Sequence, residues 1–253
     1  MRAFSVFTKK ELMESLRTRR FVISLAVFVI FGILSPLTAL LLPEILGAFE
    51  MGGVIITIPE PTAMDAWLQY FSNIGSMGML VVIVVFSGIM AHEFSRGTLV
   101  NLLTKGLNRT TVILSKFFAA SLIWTVIYLV SLGVALAYIA VFWEMDMQNA
   151  LLAFVSLWLF GELLIAVLIF GGTLTGSFGG SLGMALGVII VLGIVSAAPA
   201  AARFNPISLA GGTVTLLNGE SAVGDFMSAV IICGVAVIVL VIASIVVFGK
   251  KRV

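Results

Sequence analysis

A single cysteine, a single histidine and charge on only 10% of 253 residues are what this sequence has least of. Each scarcity excludes something. One cysteine forbids an intrachain disulfide, and one cysteine with one histidine forbids a His/Cys zinc cluster. Cys233 lies in an apolar run and reads as a small buried hydrophobe. A soluble domain carries about 25% charged residues, so this chain is too poor in charge to be one. The ten-residue alternation of a membrane barrel is missing, and no small-residue cleavage site follows the first apolar run, which argues against a removable signal peptide.

What the chain has in abundance is hydrocarbon: 61% hydrophobic residues and a mean hydropathy of +1.23. Six apolar runs, 21–43, 71–91, 117–142, 150–174, 181–200 and 226–248, are each long enough to cross about 30 Å of lipid as a helix. Backbone groups in lipid must be satisfied within their own segment, so the runs are helices. The expected fold is an all-α membrane protein, one transmembrane unit over 1–253.

Basic residues set the orientation. Arg2, Lys9, Lys10, Arg17, Arg19 and Arg20 precede the first run; Arg96, Lys105, Arg109 and Lys116 lie between the second and third; Lys250, Lys251 and Arg252 follow the sixth. With six spans these segments share one face, which then holds every Lys and Arg except Arg203. The positive-inside rule makes that face cytoplasmic, with both termini inside the cell membrane. Residues 44–70, with Pro59 and Pro61, read as an ordered excursion on the other side, and the semi-polar stretch 201–225 as short outer helices. Residues 1–20 read as an interfacial helix with Val6, Leu12, Met13 and Leu16 on one side and Glu11, Glu14, Ser15 and Thr18 opposite.

The charge within the middle of the chain gathers in "HEFSRGTLVNLLTKGLNRTTVILSK", His92 to Lys116. Leu99, Leu102 and Leu103 share one helical face there, opposite Glu93, Asn101, Thr104 and Lys105, and Gly106 is placed to end the helix. This predicts an amphipathic helix over 93–106, with Arg109 and Lys116 drawn to the anionic inner leaflet. Asn108-Arg109-Thr110 matches a glycosylation sequon, but on the wrong side of the membrane.

Glu93-x-x-x-Gly97-Thr98-Leu99, followed by Leu103-x-x-Gly106-x-x-Arg109 and Lys116, resembles the signature of ABC-2 type transporter permeases. So does the N-terminal Phe7-Thr8-Lys9-Lys10-Glu11-Leu12 with Arg17-Thr18-Arg19-Arg20, and the likeness extends along the whole chain. The resemblance implies the permease of an ATP-driven exporter. Its 93–106 helix would be a coupling helix docked in a groove of a separate ATPase, through Glu93, Gly97, Thr98, Leu99, Leu102, Leu103 and Arg109. Two permeases (a homodimer or a related heterodimer) and two ATPases form the implied assembly, with the Thr175–Gly180 turn as a smaller second contact. No G-x-x-x-x-G-K-[ST] occurs, so ATP and magnesium belong to the partner, and this chain is expected to hold no cofactor or metal and to be no enzyme. Membrane lipid and an exported substrate complete the expected partners; nucleic acid is not among them. The apolar path favours hydrophobic or amphipathic cargo: peptide, toxin, drug or lipid.

Four further patterns stand apart from this resemblance. Gly179-Gly180-Ser181-Leu182-Gly183 matches G-x-S-x-G without the strand–turn–helix that a nucleophile elbow requires, and His92-Glu93 begins H-E-x-x-H with Arg96 where the second histidine belongs. Gly172, Gly176 and Gly180, then Gly179, Gly183 and Gly187, have the spacing of close helix packing. Glu162 is an intramembrane carboxylate with no cation in any span to pair with, and it is the residue on which a self-sufficient secondary transporter or channel would depend.

Overall fold

The computed structural model describes residues 2–47, 60–95, 97, 104 and 106–251, and among them all regular structure is helical. Six helical spans are long and apolar enough to cross a membrane: Arg20–Ile45, Ala63–Ser95, Arg109–Phe142, Ala150–Thr175, Phe178–Ser196 and Val223–Lys250. Each expected run matches a span of its own, although the fifth stops at Ser196, short of the expected residue 200, and the protein is a multi-pass membrane protein.

In chain order, α1 is Arg2–Arg17 and α2, the first span, Arg20–Gly47. The second span is built of α3 (Ala63–Asn73), five residues of π-helix (Ile74–Gly78), α4 (Met79–Phe86) and α5 (Gly88–Ser95). The third to fifth spans are α6 (Arg109–Phe142), α7 (Ala150–Thr175) and α8 (Phe178–Ser196). Short helices α9 (Pro199–Ala202), α10 (Ser208–Gly211) and α11 (Thr213–Leu217) precede the last span, α12 (Val223–Lys250).

Two spans begin eight residues before their apolar runs, for the same reason. Thr62 and Asp65 form a reciprocal capping box at the start of α3, and the Asn108 side chain accepts from the Thr110 amide at the start of α6. A polar cap is invisible to a hydropathy pattern, so residues 63–70 belong to the second span and not to the outer excursion. The rest of that excursion, 48–59, lies outside the described residues. The N-terminal helix is likewise shorter than expected: it stops at Arg17, Arg19 turns with φ 57°, and Arg20 already belongs to the first span.

The core is organised around α7. Its residues from Phe160 to Ile169 are buried without a break, as they must be in a helix that is apolar on every side. The second, third, fifth and sixth spans and the short helices α10 and α11 all pack on it. Its partner α6 meets it along a polar and aromatic seam. Trp124 Nε1 donates to the Trp158 carbonyl at 3.0 Å, Trp158 Nε1 to Thr125 Oγ1 at 3.0 Å, and Tyr128 hydroxyl to the Phe154 carbonyl at 2.9 Å. Gly161 makes the notch for the Trp124 indole, where an added Cβ would stand only 2.4 Å from the ring. The 201–225 stretch does form short helices, but they are tucked in rather than laid on the surface: Leu209, Leu216 and Leu217 are fully buried.

The two glycine rows behave differently. A Cβ on Gly172 would meet that of Met90 at 2.9 Å and one on Gly180 would strike the Thr175 side chain, whereas Gly179, Gly183 and Gly187 face open space. Close packing thus accounts for part of the first row and none of the second. Ser181 is buried in helix α8, and its hydroxyl donates to the Leu168 carbonyl at 2.7 Å, so helix–helix packing occupies the group that a nucleophile would need free.

Candidate functional site

The candidate site lies at the basic face, where α1 crosses the ends of the second and third spans. In α1, Phe7, Thr8 and Glu11 turn toward the protein, while Val6, Met13 and Leu16 are exposed on its outer side. Three of the four residues of the expected apolar side therefore face away from the protein, while Leu12 packs partly against the core. The side expected to be polar carries an ion cluster.

Five charges from three segments meet there. Lys10 Nζ lies 2.6 Å from Glu93 Oε1, 3.0 Å from Glu11 Oε1 and 3.0 Å from Glu14 Oε2. Lys116 Nζ lies 2.8 Å from Glu11 Oε2 and 3.2 Å from Glu93 Oε1. The Phe7 ring sits under both ammonium groups, with its centroid 5.1 Å from Lys10 and 5.8 Å from Lys116. Glu11, Glu14 and Glu93 come close enough together to hold a cation, and the Lys10 ammonium occupies that position. Burial alone would lower the Lys10 pKa, but its bonds to Glu93 and Glu11 outweigh that and hold it above the ordinary lysine value.

Burial decides what the cluster is worth. The Lys116 and Glu93 side chains are 2% and 6% exposed, so removing either leaves the buried cluster with an unbalanced charge, at a cost of about 3–5 kcal/mol. A crevice of about 60 Å³ opens beside it, lined by Glu14, Arg20 and His92 and by Val85, Phe86 and Ile123.

This placement corrects the sequence reading at several residues. Glu93 lies in the last full turn of the second span, inside the protein, and does not open a separate helix. Gly97 has φ +62° and its amide bonds the Phe94 carbonyl at 3.3 Å. That left-handed turn ends α5, so no unbroken helix runs from Glu93 to Gly106. Gly106 also has a positive φ, +86°, and among the described residues neither glycine has a neighbour within 4 Å of where a Cβ would stand. Thr98, Leu99, Leu102 and Leu103 lie outside the described residues. Lys116 is a buried ion-pair partner and not a lipid-facing anchor. Arg109 is also engaged internally: its Nη1 donates to the carbonyls of Phe248, Gly249 and Lys251 at 2.7, 3.1 and 2.6 Å.

Glu162 lies elsewhere, in the middle of α7. The Ser121 hydroxyl donates to its Oε2 at 2.5 Å, and its buried Oε1 has no hydrogen-bond partner. The Lys10–Glu93–Lys116 cluster is the feature that the sequence did not reveal. The i,i+4 spacing of Lys10 and Glu14 is that of a helical ion pair, but nothing in the sequence says that residues 10, 11 and 14 meet Glu93 and Lys116.

The family profile described as "ABC-2 family transporter protein" matches residues 6–253. A relative in Bacillus subtilis (strain 168), "Uncharacterized transmembrane protein YxlG", is 23% identical over 229 residues, covering 88% of each chain.

Proposed function

The chain belongs to the ABC-2 family of transporter proteins, and from that premise we propose that it is the permease subunit of an ATP-driven exporter. Family membership makes it the membrane component of an ABC transporter whose ATPase is a separate subunit. The finer reading is that two copies of this permease, or this chain and a related one, assemble with two ATPases in the cell membrane, termini toward the cytoplasm. ATP and magnesium act in the partner, and closure of the ATPases moves the 93–106 segment and rocks the spans about a central path.

The observation that carries the reading is the anchorage of that segment. Its two ends are fixed, Glu93 by two lysines on α1 and α6 and Arg109 on the end of α12. A segment rigidly held at both ends can transmit displacement to the spans, and a slack one cannot. The cargo is proposed to be hydrophobic or amphipathic. In support, apolar clefts of about 330 and 320 Å³ flank the π-helical stretch of the second span, where Ser72 and Ser76 are outnumbered by residues such as Phe71, Met79 and Ile207.

The test is reconstitution. Expressed with an ABC ATPase encoded beside it, the permease should retain that ATPase through purification, and in proteoliposomes a lipid, peptide or lipophilic drug should stimulate ATP hydrolysis. A permease that moves substrate on an ion gradient with no ATPase present would overturn the reading and favour the secondary transporter, for which Glu162 and its unpartnered oxygen would be the coupling site.

A further inference from the structure

The geometry points to Lys251 as a tie that joins two parts of the basic face, the ends of the segment between Phe94 and Arg109 and the turn between α7 and α8, so that they move as one body. The inference rests on the coupling function proposed above and adds a second moving part to it.

The last turn of a helix leaves carbonyl oxygens without intrahelical partners at the negative end of its dipole. Three of the spans end at the basic face, and two cations link their ends in series. Arg109, the first residue of α6, donates to the three carbonyls at the end of α12 described above. Lys251, the residue that follows α12, then donates from Nζ to the carbonyls of Thr173 and Leu174, in the last turn of α7, at 2.9 and 3.2 Å. The chain of contacts runs from α6 to α12 and from α12 to α7.

The same lysine reaches the second span. Its Nζ lies 4.4 Å from the centroid of the Phe94 ring, and Phe94 packs edge-on against Phe248 at 6.0 Å. Arg109 stands over Phe248 from the other side, 5.6 Å from its centroid. Both ends of the Phe94–Arg109 segment are therefore seated on the last turn of α12. The α7–α8 turn is seated there too. Gly176 takes φ +72°, and a Cβ on it would come within 3.2 Å of Lys251 Nζ, so the turn needs glycine both for its backbone and for the approach of the lysine. A displacement of the segment past Phe94 must carry α12 with it, and through Lys251 the end of α7 and the turn beyond.

The test uses Lys251→Met, which keeps an apolar stem and removes the charged donor, beside Lys251→Arg, which restores donors and a cation over Phe94. In the permease–ATPase complex, Lys251→Met should keep the ATPase bound but lower substrate-stimulated hydrolysis and transport about tenfold, the worth of one or two charge-assisted hydrogen bonds; Lys251→Arg should recover most of it. Wild-type coupling in Lys251→Met overturns the tie, and so does joint loss of ATPase binding and thermal stability, which would make Lys251 only structural. If the wild-type permease binds no ATPase, the proposed function fails, and the tie is judged on the permease alone. Spin labels at Ser95 and Phe178, in a Cys233→Ser background in nanodiscs, should give a narrow distance distribution that broadens in Lys251→Met and narrows again in Lys251→Arg. Equal widths in all three overturn it.

Discussion

Glu93 and Glu162 are the same side chain at nearly the same exposure, 5% and 4%, and the protein treats them in opposite ways. Glu93 shares one oxygen between two ammonium groups at the rim of the spans. Glu162, halfway along α7, has a serine hydroxyl on one oxygen and nothing on the other. A buried carboxylate must be compensated or neutral. At the basic face compensation comes from α1, which contributes Lys10, Glu11 and Glu14 and so closes the charge cluster over the ends of two spans. Within the lipid layer no lysine or arginine is at hand. The difference separates a structural charge, whose removal damages the fold, from one whose removal leaves the fold intact.

Lys116→Met should break the comparison hardest. It deletes the most buried cation of the cluster and leaves Glu11 and Glu93 facing Lys10 alone. The expected cost is about 3–5 kcal/mol, seen as a large drop in melting temperature in detergent and in folded yield. Combining it with Glu93→Gln should cost less than the sum of the two single changes, because the second change restores the charge balance that the first upsets. Additive costs would mean that the two side chains do not interact in the folded protein.

Arg109→Ala should come next. Its guanidinium satisfies three carbonyls at the end of α12, and losing charge-assisted bonds of this kind costs about 1.5–3 kcal/mol. The loss should appear as faster hydrogen exchange at the C-terminal end of α12, with the rest of the spans unchanged. From the sequence Arg109 reads as one surface cation among several, whose loss its neighbours would cover. The structure makes it the single side-chain donor to those carbonyls among the described hydrogen bonds, and protection that is unchanged in Arg109→Ala would restore the milder reading.

These two residues also show what could be read without a structure. The six spans were legible because lipid imposes a length and a composition on each helix independently. Their polar starts at Thr62 and Asn108 were present as capping residues but lay beyond the apolar runs used to find them. The basic face was legible as a sum of charges and illegible as a set of pairs. Lys10 meets Glu93 across 83 residues and Arg109 meets Phe248 across 139, and no periodicity encodes contacts of that separation. The same holds for the Trp124–Gly161 notch, where the glycine lies in an ordinary apolar run and only the packed indole explains it.

Glu162→Gln should have the smallest effect on the fold. The amide has the shape of the carboxyl group and keeps an oxygen to accept from Ser121, so the one hydrogen bond that the structure gives this side chain survives. It also removes any need to hold a charge in hydrocarbon without a cation. Stability should change by less than about 1 kcal/mol, in either direction, because an isosteric neutral exchange leaves no cavity and strands no partner. A melting temperature within a few degrees of wild type in detergent checks this, and a fall as large as that of Lys116→Met would mean that Glu162 is ionised and paired in the working protein. Transport then separates the two functional readings. With the fold intact, an ATP-driven permease that does not use Glu162 should export at close to the wild-type rate, whereas a carrier that loads its coupling ion on this carboxylate should lose its response to an imposed ion gradient.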